Sequence, residues 1–476
     1  METEQPKQKS SPHVLIFPCP AQGHVNPMLK LAELLAIQNL HTTFLNTKYI
    51  HNRLIQFNDD IQALLESYPK LQFKTISDFH DEEEHPGFGE KIGDVLVALS
   101  LYGKPLLRDI IVSEKISCLI VDGIFGDLAI DLAHEFGIQL ITFRTISACC
   151  LWAYLCVPKL IQCNELPIRG DEDMDRMIRN TPGMENLLRC RDFPSFKRVD
   201  KENDHIILDH VVLLTQQSLK ANALILNTFE DLEAPILSQI RLHFPKLTTY
   251  TLGPLHHHLY TTKKSSSSSS SSSFFKADRT CMTWLESQPL KSVVYVNFGS
   301  ITSMKREEII EIWHGLLNSK KQFLWVIRPN MVQEKGLLKE LEEGTNKEQG
   351  LIVGWVPQEE VLSHKAIGAF LTHSGWNSTL ESVVCGVPMI CWPYFADQQI
   401  NSRFVSDVWK IGLDMKDVCD RKVVENMVND VMVNRKEAFL KSAMEIAKLA
   451  CKSVSCDGSS YNNFKDLIEY IRSTSP

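Results

Sequence analysis

His13-Val-Leu-Ile-Phe17-Pro-Cys-Pro-Ala-Gln-Gly23-His24-Val-Asn26-Pro27-Met28 is the stretch on which the fold turns. Val14 to Phe17 is a short apolar run, broken by Pro18 and Pro20, and predicts a buried strand. A loop rich in Pro and Gly follows and carries Gly23 and His24. Asn26 is placed to cap a helix, with Pro27 at the first helical position, where no N–H is needed. Met28, Leu31, Ala32 and Leu35 then fall on one helical face. Strand, turn and helix in this order form the repeating unit of a parallel, doubly wound sheet.

The same alternation continues along the chain. Thr42 to Leu45, Cys118 to Val121 (ending at Asp122) and Leu140 to Phe143 predict further strands. After Leu252-Gly-Pro254 the composition changes: His256 to His258, two lysines, then nine serines from Ser265 to Ser273. A serine run buries no core and predicts an exposed linker, with the three histidines exposed beside it. The pattern then restarts, with strands at Val293 to Phe298, Phe323 to Ile327, Leu351 to Val353, Gly368 to Leu371 and Met389 to Trp392. From about Val423 it is helical. The expected division is 1–252, a linker at 253–280, 281–455, and a terminal helix at 456–476. Two α/β halves imply a cleft, with ligands at the C-terminal ends of the strands.

The 476 residues are 44% hydrophobic, enough for two cores. The net charge of -8 argues against a nucleic-acid surface. The 13 cysteines are odd in number and lack zinc spacing, which predicts reduced thiols and a cytoplasmic protein. No signal-peptide layout and no run of about 18 apolar residues is present, so no membrane span is expected.

Trp355 to Gln398 carries the densest chemistry. An apolar strand feeds into His373-Ser-Gly375-Trp376-Asn377-Ser378, and a helix is expected from about Asn377 to Cys385, stopped by Gly386. Its N-terminus would direct free N–H groups at a phosphate, joined by His373, Asn377, Ser378 and Ser300 of Asn-Phe-Gly-Ser. Trp355 can stack a flat base, Glu381 can accept from ribose hydroxyls, and Asp397-Gln398 suits the hydroxyls of a sugar. In the first half, His24 and Asp122 both follow strands, and a carboxylate on one imidazole nitrogen would make His24 a general base.

Trp355-Val356-Pro-Gln358, His373 to Ser378, Glu381 and Asp397-Gln398, with Phe17 to His24, resemble the motifs of plant family-1 UDP-dependent glycosyltransferases. The resemblance runs from about His13 to Ile471. It implies a GT-B fold, two Rossmann-like domains facing a cleft with a C-terminal helix crossing back. It implies a hexosyltransferase that moves glucose from UDP-glucose with inversion, giving a β-glucoside. By resemblance, Trp355 stacks uracil with Val356 and Gln358 nearby, and Glu381 binds ribose. His373, Gly375, Asn377, Ser378 and Ser300 hold the diphosphate, while Trp376, Asp397, Gln398 and Thr145 hold the hexose. His24 is the base and Asp122 its partner. Ser374 stands where many relatives carry Cys. No metal and no further cofactor is implied, and the second substrate is a small hydrophobic acceptor. A monomer is favoured.

Phe143-Arg-Thr-Ile-Ser-Ala-Cys-Cys150 and Leu188-Arg-Cys-Arg-Asp-Phe-Pro194 resemble members that glucosylate iridoid aglycones such as 7-deoxyloganetic acid. Other terpenoids, flavonoids and other phenolics stay open as acceptors, as does hydroxyl against carboxyl attack. A protein that only binds UDP-sugar would not need His24 with Asp122. An NAD-dependent oxidoreductase would need a glycine fingerprint, and Gly87 to Gly93 is one residue too long and follows an acidic loop. Asp173-Met-Asp175 matches a metal-binding acidic pair but lies in a polar run, which reads as solvated loop.

Overall fold

The computed structural model describes residues 11–58, 60–79, 92–166, 168, 171–193, 204–263, 273–328, 331, 334, 336–415 and 419–473. Gly87 to Lys91, Gly170, Pro194 and Ser265 to Ser272, named above, lie outside these residues.

Seven strands build the first sheet: β1 (His13–Phe17), β2 (His41–Thr47), β3 (Leu71–Ile76), β4 (Cys118–Asp122), β5 (Gln139–Arg144), β6 (Ala223–Leu226) and β7 (Thr248–Thr251). All pair in parallel, in the order β3-β2-β1-β4-β5-β6-β7. Six build the second: β8 (Val293–Asn297), β9 (Gln322–Val326), β10 (Gly350–Val353), β11 (Ile367–Thr372), β12 (Met389–Cys391) and β13 (Gly412–Asp414). These are also parallel, in the order β10-β9-β8-β11-β12-β13. The doubly wound α/β architecture expected from the sequence is present in both halves.

In each sheet the chain winds outward one way, then returns to the centre and winds the other way. The reversal lies between β1 and β4 in one sheet and between β8 and β11 in the other. Helices depart to opposite faces at such a point, leaving a crevice beyond the strand ends. His24 follows β1 and Asp122 ends β4. Ser300 follows β8 and His373 follows β11. Both reversal points are therefore lined by the candidate residues.

The central strands β1, β4, β8 and β11 are buried along their whole length, as two-faced apolar strands must be. The last helix, Ser459–Ser473, returns to the first half: Phe464, Leu467, Ile468 and Ile471 share a core with Val14, Ile16 and Leu255. Ser460 Oγ donates to Gly253 O at 2.6 Å.

Three expectations are corrected. His256 to His258 do not lie in an exposed linker but in the helix Leu255–Lys263, with His258 fully buried against Phe464. Ser273 is buried, exchanging bonds with Asn58 at 2.7 and 2.9 Å, so it does not belong with an exposed run. Asn26 is no cap: the helix starts earlier, spanning Gln22–Ile37 with Pro27 inside it, and His24 stands in its first turn rather than in a loop. Proline is tolerated there because an outside donor takes over the carbonyl it would leave unpaired, as described below.

Candidate active site

His24 and Asp122 meet across the β1–β4 crevice. His24 Nδ1 lies 2.6 Å from Asp122 Oδ2, and Thr145 Oγ1 stands 2.8 Å from the same nitrogen. Asp122 Oδ1 accepts from Ile124 N at 3.1 Å, which fixes the carboxylate where the strand ends. Burial acts to raise the Asp122 pKa, but His24, the Ile124 N–H and Arg144 outweigh it and hold the carboxyl below its ordinary value. An ionised Asp122 calls for the proton on Nδ1, so Nε2 carries the lone pair. The His24 side chain is 25% exposed and that of Asp122 2%. This is a base open to a reactant, held by a carboxylate that is not.

The two halves are tied directly at this point. Pro27 has no N–H, so Gly23 O, four residues earlier in the helix, lacks its usual donor. Asn377 Nδ2, from the second half, donates to it at 2.7 Å. Trp376 Nε1 donates to Asn227 O at 2.8 Å, Ser147 Oγ to Asn401 Oδ1 at 2.7 Å, and Lys30 Nζ to Glu359 Oε1 at 2.7 Å. The helix that begins at Trp376 is thereby aimed at the helix that carries His24.

That helix runs Trp376–Cys385, with Gly375 as its N-cap and Gly386 at left-handed φ 60 as its stop. Its free N–H groups follow β11 through His373 and Ser374, and Ser374 takes φ 63. The His373 ring is wedged between two glycines: a Cβ on Gly299 or on Gly375 would lie 2.5 Å from its Nε2. Burial, with Arg328 nearby, lowers the His373 pKa to about 4. His373 is thus a neutral donor at working pH, beside a helix N-terminus suited to an anion. Ser300 is half-buried on the adjoining loop, where Gly299 N donates to Asn297 Oδ1 at 3.0 Å.

Gln358 organises the ground between Trp355 and Glu381. Its Oε1 accepts from Tyr295 OH at 2.9 Å and Asn297 Nδ2 at 2.7 Å. Its Nε2 donates to Ser378 Oγ at 2.9 Å and Glu381 Oε2 at 2.7 Å. Burial and the neighbouring Glu359 raise the Glu381 pKa. Trp355 is buried, with one ring face against Phe275 at a centroid distance of 4.7 Å, and Val356 beside it is buried too. Asp397 accepts from Asn401 Nδ2 at 2.7 Å, and burial pushes its pKa up to about 6. Gln398 Oε1 is committed to Tyr394 N at 2.7 Å and Phe395 N at 3.0 Å, leaving its amide N–H groups. The Trp376 indole is turned into the boundary between the halves, so only its backbone faces the crevice.

Sequence reasoning missed several residues here. Arg328 is buried, with Nε on Gly299 O at 2.9 Å and its pKa pushed by burial down to about 10. An arginine closing an apolar strand, at Trp325-Val-Ile-Arg328, was a readable signal. Lys30, Asn227, Tyr295, Asn297 and Asn401 carried no such signal. Asp173 pairs with Arg176 and Asp175 with Arg191. Among the described residues no cluster of three or more His, Cys, Asp or Glu is disposed to hold a metal, and no helix is long and apolar enough to cross a membrane.

Residues 275–451, which hold this second half, match the family described as UDP-glucoronosyl and UDP-glucosyl transferase. Over 479 residues the chain is 50% identical to a 7-deoxyloganetic acid glucosyltransferase of Catharanthus roseus, covering 97% of this chain and 98% of that one. It belongs to this family. The transferase is 51% identical to a second Catharanthus roseus protein of the same activity (97% of this chain, 98% of that one). It is 42% identical to a myricetin 3-O-rhamnoside 1,2-glucosyltransferase of Crocosmia x crocosmiiflora (98% and 97%). Among solved structures, Os79 from O. sativa in complex with UDP superposes at a TM-score of 0.78 with 27% identity, over 96% of this chain and 100% of that one. A Medicago truncatula glycosyltransferase complexed with UDP-glucose gives 0.76 and 28%, over 97% and 98%. The two-sheet architecture is that of the GT-B fold. The chain is a UDP-dependent glycosyltransferase, as its motifs implied.

Proposed function

We propose that this transferase moves glucose from UDP-glucose, with inversion, to an oxygen of a small iridoid or related terpenoid acceptor. The observation that carries the reading is the 2.6 Å bond between His24 Nδ1 and buried Asp122, beside the helix N-terminus at Gly375. The two relatives at 50% and 51% identity support the acceptor class.

Each residue then has a step. His24 Nε2 takes the proton of the acceptor hydroxyl, and Asp122 stabilises the imidazolium that forms. The acceptor oxygen bonds to the anomeric carbon from the face opposite UDP, and the bond from that carbon to the phosphate oxygen breaks. UDP leaves with the electron pair, so an α-linked donor gives a β-glucoside. The departing charge is met by the N–H groups after Gly375, by Ser300, Ser378, the second Asn377 amide N–H and neutral His373. Trp355 offers uracil the face that Phe275 leaves open, with Val356 beside it, and Glu381 accepts from the ribose. In this conformation Gln358 positions Glu381 and Ser378. Asp397, the Gln398 amide, Thr145 and the backbone N–H of Trp376 hold the hexose. No metal is assigned a role, because the base, the helix dipole and the donors already answer each charge. We further propose the domain division at 253–280 and a cytoplasmic protein, whose free cysteines fit a reducing compartment.

The test is incubation with UDP-glucose and a panel of iridoid, terpenoid and phenolic aglycones, read by mass beside His24→Ala. New hexose adducts that vanish in the variant are expected. Failure to bind UDP-glucose would remove the basis of the reading.

A further inference from the structure

We propose that Arg144 recognises a carboxylate on the acceptor, so that the acid group is anchored there while a separate hydroxyl of the same molecule faces His24. The inference rests on the transferase reading above and narrows its acceptor.

Arg144 is the last residue of β5 and precedes Thr145, which touches His24. Its side chain folds over Gly123, the residue after Asp122. A Cβ there would lie 2.3 Å from Arg144 Cδ and 3.0 Å from one guanidinium nitrogen, so only glycine admits the arginine. Helix Ala148–Gln162 supplies buried Cys150 and Tyr154 beside it, and helix Asp204–Ser218 supplies Thr215. The guanidinium is therefore held in the half opposite the helix N-terminus and His373, where the diphosphate chemistry is gathered.

Its partners do not match its charge. Arg144 is only 6% exposed. Its one hydrogen bond among the described residues is a long one, 3.4 Å to Thr215 Oγ1, and its buried Nε has none. The acids within electrostatic range are already engaged: Asp122 by His24 and Ile124 N, Asp397 by Asn401. Burial raises the pKa of Cys150 and Tyr154, so neither supplies an anion. A buried guanidinium without an anion is costly, and its planar fork fits a carboxylate in two parallel bonds. An arginine that served only to steady Asp122 would pair with it directly, and no such ion pair forms. Anchoring the acid on Arg144 makes the carboxylate a handle and the hydroxyl the nucleophile.

The experiment measures kcat/KM for 7-deoxyloganetic acid and for its methyl ester, with saturating UDP-glucose, in the wild-type protein, Arg144→Met and Arg144→Lys. The wild type should prefer the acid by at least about 30-fold, equivalent to about 2 kcal/mol. Arg144→Met should bring that ratio to within about threefold of unity, with Arg144→Lys between. Equal use of acid and ester by the wild type overturns the proposal, and this measurement stands even if a variant does not fold. A loss in Arg144→Met that falls equally on both acceptors also overturns it, and would assign Arg144 to Asp122 instead. Absence of transfer to either acceptor is a different result and counts against the transferase–acceptor reading itself.

Discussion

Replacing Gly299 by Ala should disable UDP binding through a residue that carries no side chain in the wild type. The new methyl would lie 2.5 Å from His373 Nε2 and 2.7 Å from its Cε1. Comfortable contact is about 3.5 Å, so the ring must retreat by about 1 Å. It cannot do so freely, because the backbone of Gly375 flanks the same ring nitrogen so closely that a Cβ there would also clash. Overpacking of this kind costs roughly 1–3 kcal/mol, and φ +79 at Gly299 adds about 1 kcal/mol for any residue with a Cβ. In the proposed role, a displaced His373 would lose a hydrogen bond to a charged phosphate, worth about 1.5–3 kcal/mol, or roughly 10- to 100-fold in affinity. Gly375→Ala separates the two effects, since φ there is -59 and only the clash operates. Gly354→Ala is the control, with no atom within 4 Å of its Cβ. Titration calorimetry with UDP, beside thermal melts, should rank Gly354→Ala near wild type and both others at least tenfold weaker. Gly299→Ala should also melt lowest. Folded Gly299→Ala and Gly375→Ala proteins that bind UDP within twofold of wild type would refute the wedge.

Three further outcomes follow from the same geometry. His24→Ala should lower transfer by about 10²–10⁴-fold with UDP affinity within about twofold, and Asp122→Asn should act similarly by leaving the wrong tautomer; a comparable loss of UDP affinity would mean that the pair supports the cleft rather than the chemistry. Asp397, with a pKa of about 6 in the free protein, is an acid whose charged form burial disfavours. Sugar hydroxyls donating to it favour the carboxylate, so UDP-glucose should release a proton and bind tighter as pH rises to about 6, then level off. Asp397→Asn should lack that slope, and identical pH profiles for UDP-glucose binding to the two proteins in calorimetry would exclude Asp397 from the sugar site. Deleting four serines between 265 and 271 should leave turnover intact, whereas Asn58→Ala breaks the pairing with the Ser273 backbone and should lower the melting temperature by an amount matching about 1–3 kcal/mol.

The central strands were legible because burial on both faces demands an unbroken apolar run, as in Val14 to Phe17 and Cys118 to Val121. Strands β3, β7 and β13 were not anticipated. They stand at sheet edges, have one neighbour each, and carry sequences such as Leu-Gln-Phe-Lys-Thr-Ile and Thr-Thr-Tyr-Thr that a half-exposed edge permits. β6, though internal and buried, is only four residues long and gave too short a run. The donor-side cluster was readable because Trp355 to Gln398 is contiguous, so one stretch of chain states its own chemistry. Residues that act across the crevice were not. Lys30 meets Glu359 and Ser147 meets Asn401 over separations that no local pattern encodes. The start of the first helix was misplaced for a related reason: Pro27 looks like a first-turn residue until the distant Asn377 is known to occupy the carbonyl it frees.

That carbonyl has a dynamic consequence. A helix ordinarily keeps its interior carbonyls to itself, but the ring of Pro27 leaves Gly23 O addressable from outside, one residue before His24. Asn377, one residue into the helix Trp376–Cys385, is what addresses it. Any rocking of the two halves apart must break this bond, and any return must remake it. The junction therefore works as a register mark: one bond sets the base against the turn that opens the helix at Trp376.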